Sequence, residues 1–298
     1  MKRFILFTFS ILLTFTIAIA QTNITSCESY TWQVNGNTYN QSGTYSTTAI
    51  INDYSMQFGV HGSGNVVSFN AQVIPTNGSF TISFWAKPIS GNLMHQNFHP
   101  DAFYIGIDSW TGNCSELRCG DTWQNTGACL TTNTWQYISI VRHYNSHVEI
   151  YIDGIIIATK STDITIGSSS TNLRFGCNYA APYTENYVGK LDAVEIWNVP
   201  LSSQQITNYM NCSPSGNETD LLGFWNFEEG NGGTVNDLTA NNNDGTITGS
   251  NYDNNTNSGS CIPTLNLTIN LPDGCTDITQ FNYDANATCD DGSCMPFI

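Results

Sequence analysis

The chain has 298 residues, 24 acidic and 8 basic, for a formal net charge of −16, and it carries ten cysteines. That acid surplus repels nucleic acid and anionic membranes at long range and leaves cations and neutral polymers such as glycans as compatible partners. No run after the first twenty residues approaches the ~20 apolar residues of a membrane span, so membrane insertion is not expected.

Residues 1–20 read as an export signal. Lys2 and Arg3 are the positive start, Phe4 to Ile17 the hydrophobic core, and Ala18-Ile19-Ala20 a small-x-small cleavage site. Gln21 follows the expected cut, where a lipid anchor would need cysteine. Cleavage leaves 6 basic against 24 acidic residues, a net −18, and implies a secreted, extracellular product. Cys27, Cys114, Cys119, Cys129, Cys177, Cys212, Cys261, Cys275, Cys289 and Cys294 all lie beyond the signal. An even count after export reads as disulfides rather than thiol chemistry. Zinc is the competing reading for Cys114, Cys119 and Cys129, but no C-x-x-C spacing occurs among them.

Short apolar alternations separated by Asn, Thr, Ser and Gly then recur to the end of the chain, an all-β signature without convincing helical periodicity. Residues 21–46 form a short Cys/Tyr-rich element. In "FTISFWAK", Phe80, Ile82, Phe84 and Ala86 share one face, and Pro88 is expected to end pairing by removing a ladder donor. The interval from Asn92 to Thr132 looks like an unusually long connection. Trp135 to Val141 alternates less cleanly, as in a strand covered on both faces. His143 to Ser146 turns the chain, and Val148, Ile150 and Ile152 lead to Asp153-Gly154, which favours a type I′ hairpin. In "KLDAVEIWN", Asp192 alternates with Val194 and Ile196, so it is expected on the side that buries.

The series from Asn133 to Asn198 resembles the laminin-G-like, concanavalin A-type jelly roll. The resemblance implies an all-β sandwich of two antiparallel sheets over 47–258, a secreted fold used more often to bind than to catalyse. "GFWNFEEGNG…VNDLTANNNDGTITG" is similar to the segment that usually opens such a domain, yet it follows the final strand. It could begin a truncated second copy. A return of 220–250 into the first sandwich, a circular permutation, is expected instead, because fewer than fifty residues cannot bury a sandwich core. Cys212 would then pair with Cys261 and clasp the returned segment. The tail, 259–298, resembles a small Cys/Asp-rich repeat of secreted Bacteroidetes proteins, as 21–46 resembles an element found in similar chains. That likeness implies a Cys275–Cys294 pair. It also leaves Cys289 without its usual mate, since Phe281 stands where relatives have cysteine.

Related jelly rolls often hold calcium between the last strand and the opening segment. The resemblance therefore implies a structural Ca2+ on Asp192 with Glu228, Asp237 and Asp244, against the alternative that Asp192 only accepts hydrogen bonds from a loop. An ionised carboxylate on a burying face needs such compensation, and calcium takes six to eight oxygens. The acidic element common early in these domains is replaced by Phe58 to Gly64. Acidic stretches at Asp253–Gly259 and Asp284–Gly292 miss the EF-hand pattern and read as solvated loops. His95/His99 and His143/His147 have i, i+4 spacing, but in loop and hairpin contexts they read as polar loop histidines.

No catalytic residues are assigned. The Glu-x-Asp-x-x-Glu strand of laminarinase-type jelly rolls is absent, and so is any carboxylate pair placed for glycoside hydrolysis. Trp110, Trp123, Tyr179 and Tyr183 form a candidate rim for stacking on sugars, unless they only pack the sandwich edge. The expected function is a non-enzymatic carbohydrate-binding or adhesion module with a glycan or extracellular protein as partner. A polysaccharide-active enzyme of the same fold and a structural surface protein are the alternatives.

Overall fold

The computed structural model describes residues 18–59, 64–96, 103–108, 115–120, 124–164, 166, 172–176, 186–257, 261–270 and 273–296. The strands in chain order are β1 (Ala18–Cys27), β2 (Tyr30–Trp32), β3 (Asn37–Tyr39), β4 (Gly43–Ser46), β5 (Ser55–Phe58), β6 (Val66–Phe69), β7 (Phe80–Gln96), β8 (Phe103–Asp108), β9 (Ser115–Gly120), β10 (Gln124–Leu130), β11 (Gln136–His143), β12 (His147–Ile152), β13 (Ile155–Lys160), β14 (Arg174–Phe175) and β15 (Val188–Trp197). Helix α1 (Ser203–Asn211) follows, then β16 (Leu221–Trp225), β17 (Thr234–Val235), β18 (Gly245–Thr248), β19 (Asn251–Asp253) and β20 (Cys261–Asn270).

Two sheets make the sandwich. The first runs β13-β12-β11-β7-β15, with β5 and β16 sharing the far edge of β15 and β19 outside β5. The second runs β10-β9-β8-β7-β14-β6-β18-β17. Phe80, Ile82, Phe84 and Ala86 of the first sheet pack in one core with Val67, Leu93, Ile105 and Phe175 of the second. The Asp153-Gly154 turn has φ of 52° and 77°, both positive as a type I′ turn requires.

Pro88 does not end β7. Pairing with β11 stops at Ala86, but the chain stays extended and passes into the second sheet. Gly91, at φ 89°, sits where a Cβ would lie 2.1 Å from the Asn186 carbonyl oxygen, so only glycine fits that crossing. The interval from Asn92 to Thr132 is not a connection either. Its described parts are the end of β7 and strands β8, β9 and β10, which extend the second sheet.

Residues 221–253 place strands in both sheets: β16 beside β15, β18 beside β6 and β19 beside β5. Trp225 packs 4.9 Å from Phe69 and 5.3 Å from Phe175 between ring centroids. Phe227 is fully buried in the same core, which alone contributes roughly 2–3 kcal/mol. An ion pair of Lys190 with Asp253 also ties β15 to this segment.

The two ends of the chain meet. β1 lies parallel to β20, and β4 pairs with the other edge of β20. A small core of Trp32, Leu265 and Leu267 sits beneath them. A cut after Ala20 would leave Gln21 to Cys27 of β1 in the ladder. Cys212–Cys261 and Cys275–Cys294 pair as expected, and Cys289 finds its mate in Cys27, 262 residues away. Cys129 is disulfide-bonded. Cys119 departs from the all-disulfide expectation: it is a free thiol, and burial pushes its pKa up to about 12, so it is inert.

Helix α1 was missed by the strand-only reading. Its signal is Ser202-x-x-Gln205, a capping box in which each side chain satisfies the other's backbone amide. Ile206 anchors it on the outer face of the first sheet with Trp197, Leu201 and Phe224.

Candidate functional site

Asp192 does not lie on the core side of β15. Between Asp192 and Glu195 the strand carries one residue more than β7 opposite, and Ala193 adopts φ 45°. This bulge resets the alternation. Leu191, Val194 and Ile196 enter the sandwich core, whereas Asp192 stands opposite Trp85 and faces the layer of α1. It is nevertheless buried, with 1% of its surface exposed.

Ile50, Ile51, Asn52, Ala193, Met210, Asn211, Asn226 and Glu228, with the Cys212–Cys261 bridge, enclose a cavity of about 20 Å³ beside it. That is room for one water-sized sphere. Neither Asp192 oxygen completes a hydrogen bond. Burial, reinforced by the Glu228 charge, pushes its carboxyl well above the usual range; the Ala193 amide and the Asn52 side chain pull the other way without overcoming it. An unpaired buried carboxylate costs several kcal/mol unless protonated or met by a cation.

Glu228 is held for this position. Its Oε1 accepts from the amides of Asp53 at 3.0 Å and Tyr54 at 3.1 Å. Burial, with repulsion from Asp53 and Glu229, still leaves its pKa raised. Phe227, just before it, adopts φ 58°. Left-handed backbone at Ala193 and Phe227 therefore flanks both cavity carboxylates, a kind of strain that concentrates at functional sites.

Asp237 and Asp244, the other two expected ligands, do not line the cavity. Asp237 accepts from the amides of Phe224, Thr239 and Asn243, and Asp244 from the amide of Asp237. Their oxygens organise the loop between β17 and β18. Trp110, Trp123, Tyr179 and Tyr183 lie outside the described residues, as does His99. His95 is not a loop histidine: it is fully buried on β7, and burial, with Arg174 adding, lowers its pKa to about 4.

Sequence reasoning also missed Glu195. It is wholly buried on the outer face of the first sheet, accepting from the Tyr137 hydroxyl at 3.2 Å and the Trp197 indole at 3.1 Å. Burial raises its pKa to about 8. A second space was missed as well, a cleft of about 440 Å³ between the N-terminal element and the α1 face of the sandwich. Tyr30, Tyr209, Gln33, Gln205, Asn208 and Asp220 are among its walls, and the two tyrosines are half-buried.

Residues 61–207 match the family model Laminin_G_3, the concanavalin A-like lectin/glucanases superfamily. This stretch is a concanavalin A-like domain. Its jelly roll is shared at fold level with a Bacteroides ovatus protein named as a candidate carbohydrate-binding protein. The identity is 17% and the TM-score 0.56, over 69% of this chain and 60% of that one. The chain thus spans less than two thirds of that protein's length. A heptameric SAP-like pentraxin from Limulus polyphemus matches at 12% identity and TM-score 0.52, over 71% of this chain and 99% of the pentraxin. No curated protein matches the sequence. The concanavalin A-like superfamily accounts for the sandwich; at these identities the neighbours speak to fold alone.

Proposed function

We propose that this protein is a secreted, non-enzymatic module that binds a glycan or a glycosylated extracellular partner, with Ca2+ at Asp192 bracing the sandwich. The single observation that carries the binding role is the cleft beside α1. Its size suits a small saccharide; Tyr30 and Tyr209, the latter with its ring against Trp197, give the wall aromatic surface, while Gln33, Gln205, Asn208 and Asp220 give it polar groups. The disulfides and the lectin-like fold support an extracellular setting.

Calcium is supported by the donor set around the cavity. Asp192 and Glu228 supply carboxylate oxygens and Asn52 and Asn226 amide oxygens, the hard donors this ion selects. When bound, the ion supplies charge compensation for Asp192 and joins β15 to the loop that follows β16.

Glycan arrays probed with the full chain, with and without EDTA, test the binding role. Binding to a defined glycan class is expected, weakened by about tenfold or more in Tyr209→Ala, the loss typical of one aromatic anchor. No glycan bound, or binding indifferent to Tyr209, would overturn the reading.

A further inference from the structure

The hairpin of β11 and β12 brings together three side chains that the proposed function does not use. His143 and His147 are directly opposed in the last cross-strand pair before the turn. Their rings stack at 4.2 Å between centroids, 11° from parallel. Glu149, two residues along β12 from His147, shares that face because strand side chains repeat every second residue. Its Oε2 lies 3.5 Å from His143 Nε2 and its Oε1 3.4 Å from His147 Nε2. One ligand atom from each of the three lies within 4.8 Å of the others, the one such His/Cys/Asp/Glu group among the described residues.

We infer that His143, His147 and Glu149 form a binding site for a zinc-class divalent ion, separate from the Asp192 cavity. Bonds of 2.0–2.1 Å in a tetrahedral site put ligand atoms about 3.3–3.4 Å apart. The two nitrogen–oxygen distances already approach that edge; ligation also requires the imidazoles to rotate out of their stack so that both Nε2 lone pairs converge on the ion. Two imidazoles and a carboxylate match the borderline ions, zinc above all, and not calcium.

The supporting contacts are those of a ligand set held in place. Ser146 Oγ sits 2.9 Å from His147 Nδ1, leaving Nε2 as the ligating atom. The Tyr151 hydroxyl donates to Glu149 Oε2 at 3.0 Å. His143 Nε2 is shielded from solvent, with Glu149 Oε2 beside it at the long distance of 3.5 Å. Outer contacts of this kind orient metal ligands. A bare surface ion-pair cluster, by contrast, is worth only ~0–1 kcal/mol and needs no such arrangement. Side-chain exposures of 33%, 32% and 22% leave the fourth position open to water.

The test is Zn2+ titration of the chelator-stripped full chain by calorimetry, with saturating Ca2+ present to occupy the other site. Expected is one Zn2+ per chain, with Co2+ in its place giving the intense visible absorption of a tetrahedral centre. His147→Ala should abolish uptake, and Tyr151→Phe should weaken it by about tenfold. Metal-free melting of both variants is expected close to that of the parent chain, which separates ligand loss from misfolding. No saturable uptake, or uptake undiminished in folded His147→Ala, would overturn the site.

Discussion

Asp192 and Glu195 stand three residues apart on β15, and both are shut off from water, but the protein treats them differently. Glu195 receives a hydroxyl and an indole N–H and sits beneath α1 as a neutral acid at physiological pH, its pKa raised to about 8. Asp192 receives no completed hydrogen bond and faces a cavity of about 20 Å³ whose other charged wall is Glu228. A buried acid whose two oxygens each receive a good neutral donor is a packing element. One whose weak contacts with the Ala193 amide and the Asn52 side chain do not offset burial beside a second carboxylate is the one the proposed cation would compensate. The bulge at Ala193 places both on the outer face, and the elements packed against that face decide between the two roles.

Glu228 and the strands that flank β15 and β5 come from beyond residue 211, so removing them should break the comparison most completely. A chain ending at Asn211 loses β16, β18 and β19, the Trp225 and Phe227 core contacts, and Glu228. It is expected to lose cooperative thermal unfolding, followed by near-ultraviolet circular dichroism. A melting curve like that of the full chain would mean that residues 221–253 are an accessory to a finished sandwich.

Glu195 sharpens the comparison through pH. Its folded-state pKa of about 8 exceeds the ordinary 4.5, so the folded protein keeps a proton that the unfolded chain releases. The stability linked to that proton is complete below pH 4.5, falls as pH rises, and is gone above about pH 8. The loss amounts to at most about 4–5 kcal/mol for a shift of this size. Glu195→Gln keeps an amide between Tyr137 and Trp197 without the charge. It should remove most of this decline in urea unfolding between pH 5 and pH 9, and an unchanged slope would assign the decline elsewhere.

The alternation of Phe80 to Ala86 and the Asp153-Gly154 hairpin were legible in the sequence because each rests on local chemistry, whereas the Cys275–Cys294 bridge followed from the tail's resemblance to a known repeat and Cys212–Cys261 from the expected return of 220–250. What escaped depends on partners distant in the chain. Pro88 reads as a strand end, yet it only ends the ladder to β11, because the next stretch of β7 pairs in the other sheet. Asp192 reads as core-facing by simple alternation, and one extra residue in the strand reverses that parity. Asp237 and Asp244 are implied as ligands by the resemblance to calcium-holding jelly rolls, but nearby amides donate to their oxygens and neither lines the cavity. His143 and His147 look unremarkable at a spacing of four until the register sets them face to face.

The most direct measurement is the melting temperature of the EDTA-stripped full chain as Ca2+ is added, run alongside Asp192→Asn and Glu195→Gln. A cavity that holds calcium through Asp192 should give a saturable rise in the parent chain and in Glu195→Gln, worth about 2.7 kcal/mol at a hundredfold excess over Kd. Asp192→Asn should show no rise. A parent chain indifferent to Ca2+, or an equal rise in Asp192→Asn, would mean that Asp192 is a second neutral acid like Glu195.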